Sequence, residues 1–197
     1  MTANLGIFDG VQRPAVGAIG DQPRMQPAGG TWFFSRHSGS TFALSQGIIA
    51  VQGFTLLAPA IIDRVRFEVT TGAAGTAIVA LFDSTPDASP NSLIWSGEAD
   101  TTTNGVKTLV CDIPLRPATY WWGVMGGTAT ATVRGDAPGT SSPNSASPRR
   151  LNTMSDNLSR IGAYRASMPS GALRPYPAWT IDFFNGGVAN VEFRFAR

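Results

Sequence analysis

Asp63-Arg64-Val65-Arg66-Phe67-Glu68-Val69-Thr70 is the stretch on which the reading of the fold turns. Val65, Phe67 and Val69 alternate with Arg64, Arg66 and Glu68 at a period of two. An extended strand sends successive side chains to opposite faces, so this pattern predicts a half-buried β-strand lying on a core. Outward from it, Gly72-Ala73-Ala74-Gly75 is a turn into residues 76–82, which are apolar at consecutive positions. A strand apolar on both faces belongs in the middle of a sheet.

Residues 83–91, with Pro86 and Pro90, read as a loop and 92–96 as a short strand. Asn104-Gly105 is a strong turn signal before a strand at 106–113. A turn at 114–117, a strand at 118–125 and a threonine-alternating strand at 128–134 follow. On the N-terminal side, Trp32-Phe33-Phe34 opens a first strand, and residues 41–57 are strand-like with breaks at Gly47 and Gly53. At the far end, residues 179–184 and 189–197 close the pattern; Val191, Phe193 and Phe195 face one way, and Glu192 and Arg194 the other. Residues 151–178 are irregular, with a helical turn expected near 155–161.

Nine or ten short strands at this spacing, with no sustained helical periodicity, predict an all-β chain. The expected architecture is a two-sheet antiparallel β-sandwich of jelly-roll type. Residues 1–30, with Pro14, Pro23, Pro27 and Gly29-Gly30, are expected to be an extended N-terminal arm for docking or assembly. Residues 31–197 then form the sandwich domain, interrupted by a long loop at 135–150 reading GDAPGTSSPNSASPRR.

Composition narrows the function. Hydrophobic residues make up 43% of the 197, enough for a real core and too many for a disordered tail. The net charge is +2 and the arginines are scattered, with one adjacent pair at Arg149-Arg150; nucleic-acid binders concentrate such charge on one element, so none is expected as a partner. No stretch approaches the ~20 apolar residues of a membrane span, and the N-terminus has no secretory pattern, so synthesis in a cytoplasm without a signal peptide is expected.

Catalytic chemistry finds little footing. His37 is the lone histidine, in Ser35-Arg36-His37-Ser38-Gly39-Ser40, without the Gly-x-Ser-x-Gly context of a nucleophile elbow. Asp83, Asp87, Glu98 and Asp100 offer acid pairs on paper but read as soluble turn residues, with calcium conceivable in that loop. Cys111 is the single cysteine, so neither a disulfide framework nor a cysteine-based metal site is expected. No enzyme activity, cofactor or metal is expected. The aromatics remain: Tyr120 and Trp122 must share one face of their strand and Trp121 the other, so one set can present a ring to a sugar or a subunit. Tyr176 and Trp179 form a second such patch.

Two stretches carry a family resemblance: APAIIDRVRFEVTTGAAGTAIVALFDS at 58–84 and SLIWSGEADTTTNGVKTLVCDIPLRPATYWWGVMGG at 92–127. In order and spacing they resemble a jelly-roll module of phage and prophage virion proteins, among them tail fibres, head fibres and spikes of gene-transfer particles. Ala118 stands where a turn glycine is usual, and Phe82 where a tyrosine is. The resemblance implies a virion structural or accessory protein (fibre, spike or capsid decoration) that assembles as a homo-oligomer, with a trimer favoured. Its partners would be other virion proteins, through the N-terminal arm, and a host-surface glycan. It transfers no catalytic residues. The alternative is a carbohydrate-binding module with no structural virion role.

Overall fold

A computed structural model describes residues 24–25, 29–30, 32–34, 40–86, 89–128, 130–136, 163–168, 173–178, 180–181 and 188–197, and among these there is no helix. The strands are β1 (Arg24–Met25), β2 (Trp32–Phe34), β3 (Thr41–Ala43), β4 (Ile48–Leu56), β5 (Ala60–Thr71), β6 (Thr76–Ser84) and β7 (Pro90–Asp100). They continue with β8 (Gly105–Leu115), β9 (Thr119–Gly126), β10 (Thr132–Asp136), β11 (Ala163–Ser167), β12 (Thr180–Ile181), β13 (Val188–Ala189) and β14 (Glu192–Phe195).

These strands make two sheets facing one another, the β-sandwich expected. The first runs β12-β11-β4-β9-β6-β7, with β1 beside β4; the second runs β13-β10-β5-β14-β2, with β3 beside β10 and β8 beside β5. Every pairing is antiparallel except β1 with β4. β9 is inserted between β4 and β6, and β5 between β8 and the pair β10 and β14, so most neighbours in space are not neighbours in sequence. The jelly-roll subtype is a finer statement than this wiring establishes. Most of the 1–30 arm, the 135–150 loop beyond Asp136 and the 155–161 turn lie outside the described residues.

β5 behaves as its alternation predicts: Val65, Phe67 and Val69 are buried, and Arg64, Arg66 and Glu68 are on the outer face. Against β14 the register shifts between Ile62 and Arg64, leaving Asp63 as an extra residue on β5. Such a bulge resets which face each side chain takes, so Ile62 points into the core although Arg64, two residues on, points out.

The core between the sheets is aromatic at its centre. The ring of Phe193 lies 4.8 Å from that of Phe54, 5.0 Å from Trp122 and 5.5 Å from Phe195, centroid to centroid. A second apolar layer covers the other face of the first sheet: Ile49, Val51, Phe82, Trp121 and Met125 pack there with Ala166 and Met168. β11 pairs with the edge of β4, while the Pro175 carbonyl accepts from the Leu93 N–H on β7, at the opposite edge of that sheet. Leu173 packs on the same layer, so the chain on either side of it contacts both margins of the sheet.

Several strand boundaries differ from the sequence reading. Gly53 does not break β4; it sits opposite Trp121 on β9. β7 is 11 residues rather than five, because Gly97 lets it continue past the Trp95 ring: a Cβ at Gly97 would stand 2.9 Å from that ring. β8 runs through Pro114, which an edge strand tolerates because its missing N–H can face away from the ladder. β10 starts at Thr132, four residues later than expected.

Candidate functional site

Trp121 and Trp122 on β9 offer no surface, and Tyr120 shows only 7% of its own, at a cleft between β7 and β8. Tyr120 and Trp122 face the inter-sheet core and Trp121 the second layer, as the alternation requires, but Trp121 is 0% exposed because the second layer covers it. Its indole N–H donates to Ser84 Oγ at 2.9 Å. The Trp122 indole nitrogen is buried without an acceptor, so packing alone holds that ring. The Tyr120 hydroxyl donates to the Arg116 carbonyl (2.9 Å) and accepts from the Arg116 N–H (3.1 Å), tying down the β8–β9 turn. Tyr176 is 76% exposed, whereas Trp179 and His37 lie outside the described residues.

The acidic residues of 83–100 are not one loop cluster. β6 and β7 form a hairpin in which Glu98 lies opposite Ile78 and Asp100 opposite Thr76. Asp83 is five residues from Ile78 along β6, which puts it roughly 16 Å from the Glu98 position at ~3.3 Å per residue. Glycosidase carboxyl pairs stand about 5–10 Å apart, so Asp83 and Glu98 are not such a pair. Asp87 lies outside the described residues. No group of three or more His, Cys, Asp or Glu among the described residues is placed to hold a metal ion. Cys111 is half-buried against the Ile62 carbonyl, and burial pushes its thiol up to about 11.

Two surfaces carry chemistry that the sequence reading missed. The first is the outer face of the second sheet, where arginines and acids from different strands interlock. Arg194 grips Asp63 through two nitrogens (2.9 and 2.5 Å), Arg134 grips Glu68 likewise (3.0 and 3.2 Å), and Arg66 pairs with Glu192. The Arg66 guanidinium also stacks over Trp32, 3.9 Å from the ring centroid. Forked arginine–carboxylate contacts fix geometry better than single ones, so this face is a braced, nearly neutral lattice.

That lattice implies an acid-sensitive fold. The hydrogen bond from Arg194 holds the Asp63 carboxyl below its usual value against the opposing effect of burial, and Arg134 does the same for Glu68. Groups depressed in the folded state take up protons more readily when unfolded, so their stabilisation is complete above the ordinary carboxylate values of about 4. It drains as pH falls through the lower folded values. The urea midpoint of the wild type is expected to hold from neutral pH to about 5 and to fall below about 4. Asp63→Asn should flatten that acid limb, and an unchanged limb would show that the pair contributes nothing.

The second surface is a cleft of about 420 Å³ at the seam where the edge strands β7 and β8 lie side by side. Ile94, Pro114 and Leu115 form part of its apolar wall, and Trp95 and Tyr120 add aromatic surface. Asp83, Asp112 and Arg116 supply its charge. Asp83 Oδ1 is pinned by the Ser92 N–H at 2.6 Å. The cleft thus joins Asp83 to Asp112 across two sheets, a juxtaposition without a local signal in the sequence.

No family model matches the sequence, and no curated protein matches it. Among solved structures, the chain aligns with a structure of infectious bursal disease virus, Gx strain, at 12% identity and a TM-score of 0.17. A structure of the Gt strain aligns at 14% identity and a TM-score of 0.15. Each alignment covers 90% of this chain but only 46% and 43% of those chains, so it spans less than half their length. A likeness this weak carries no weight for fold or function.

Proposed function

We propose that this chain is a non-enzymatic structural or accessory subunit of a phage-type virion, a fibre, spike or decoration protein that contacts the host surface. The observation that carries this reading is where the resembling segments fall. Residues 58–84 and 92–127 span β5 to β9, of which β5, β6 and β9 lie inside the two sheets and β7 and β8 at their edges. The likeness to virion modules therefore lies on the framework of the sandwich and not on peripheral loops.

Self-association suits the same reading. β8 pairs only with β5 among the described strands, leaving the 105–110 end of its edge open with Val106 and Val110 exposed beside it, while 112–115 line the cleft. Long open edges invite pairing with another chain, and a homo-oligomer, with a trimer favoured, would cover this one. Residues 1–30 are the proposed docking arm.

The test is mass spectrometry of purified particles from the source. The chain is expected at a fixed stoichiometry to the major capsid protein, and deletion of residues 1–30 is expected to remove it. Absence of the full chain from particles would overturn the virion reading, and retention of the truncated chain would overturn the arm. A free sugar-binding module would then be the better account.

A further inference from the structure

We infer that the cleft between β7 and β8 is a binding site for a neutral hexopyranose chain, with Trp95, Asp83, Asp112 and Arg116 as its contact residues. The site lies within one chain, so the inference goes beyond particle membership and does not depend on it.

The lining sets the chemistry. The volume of about 420 Å³ falls within the ~300–1,000 Å³ typical of small-molecule sites. The wall is largely apolar and includes Trp95 and Tyr120, while its charged residues are Asp83, Asp112 and Arg116. A pyranose has matching parts: a C–H face that packs on an aromatic ring, and ring hydroxyls that donate to carboxylates and accept from guanidinium. With one arginine against two aspartates the cleft carries a formal charge of −1, which opposes uronic or sialic acids and favours a neutral sugar.

The site is also held in shape before any ligand arrives. Asp83 sits where the β6–β7 register shifts, and the Ser92 N–H fixes one of its oxygens. The Tyr120 hydroxyl clamps the backbone of Arg116 in both directions. The Trp95 ring lies along its own strand over Gly97, where any side chain would stand 2.9 Å from it and force it to shift. Sites whose groups are already fixed lose less entropy on binding.

The experiment uses the full-length chain on an array of neutral glucose, galactose, mannose and N-acetylglucosamine oligosaccharides, with calorimetry on any hit. Asp112→Asn and Arg116→Ala alter exposed residues and should leave thermal unfolding near the wild-type value. Gly97→Val is a third variant, displacing the Trp95 ring without removing it. Binding to at least one oligosaccharide, weakened tenfold or more by both Asp112→Asn and Arg116→Ala, is the expected result. Binding that survives both substitutions would place the sugar elsewhere and overturn the site. No binding to any neutral glycan would overturn it as well, as would calorimetric binding of calcium alone that Asp112→Asn abolishes. Absence of the chain from particles with sugar binding intact would sink only the virion reading.

Discussion

Trp121→Ala is expected to cost about 3–5 kcal/mol of folding stability, the usual range for removing a large aromatic from a core. With a urea dependence of about 1–3 kcal/mol per molar, the midpoint should fall by roughly 1–5 M. The indole is fully buried in the second apolar layer, opposite Gly53 on β4 and Phe82 on β6, and its N–H is bonded to Ser84. Alanine would leave a cavity walled by Ile49, Val51 and Met125, and would strip Ser84 of that donor. Domains are typically stable by about 5–15 kcal/mol, so the loss threatens the fold itself. The measurement also separates two views of this residue. A tryptophan serving as a sugar platform would leave the midpoint unchanged and abolish binding. An unchanged midpoint would return Trp121 to the surface.

Phe193→Ala should be comparably severe, again about 3–5 kcal/mol. Phe193 stands in β14, between β5 and β2, and its ring meets Phe33, Phe54, Trp122 and Phe195. It therefore links the two sheets at the centre of the sandwich. Aromatic pairs add about 0.5–1.5 kcal/mol beyond the area they bury, so Phe193→Leu should recover much of the volume but not those contacts. Chemical denaturation of both variants tests this order. A cost for Phe193→Ala below about 1 kcal/mol would mean that the sheets pack elsewhere, since such losses belong to surface or well-compensated sites. Neither substitution touches the β7–β8 cleft, so any folded fraction of either variant should keep its ligand behaviour.

Strand identity was legible because it is local. Val65, Phe67 and Val69 on β5, and Val191 just before β14 with Phe193 and Phe195 on it, announced their buried face through a period of two, and they are buried. The turn at Asn104-Gly105 was equally plain, since the chain there takes a positive φ of 114° that glycine accepts readily. Even the split of Tyr120 and Trp122 from Trp121 followed from alternation alone.

What alternation could not say is whether the second face of a strand meets water. Trp121 is dry in a cluster that includes Ala166 and Met168, more than 40 residues away in sequence. The pairing of Asp63 with Arg194, 131 residues apart, depends on a bulge that no periodicity displays. Asp83 and Asp112 share a cleft only because the edges of two sheets come together there. The sequence by itself determined the all-β class, the strand faces and the tight turns, because backbone sterics and side-chain alternation act over a few residues. The tertiary structure alone decided which aromatics are core, which charges pair and where a cleft opens, because those outcomes depend on segments brought together only when the sheets close.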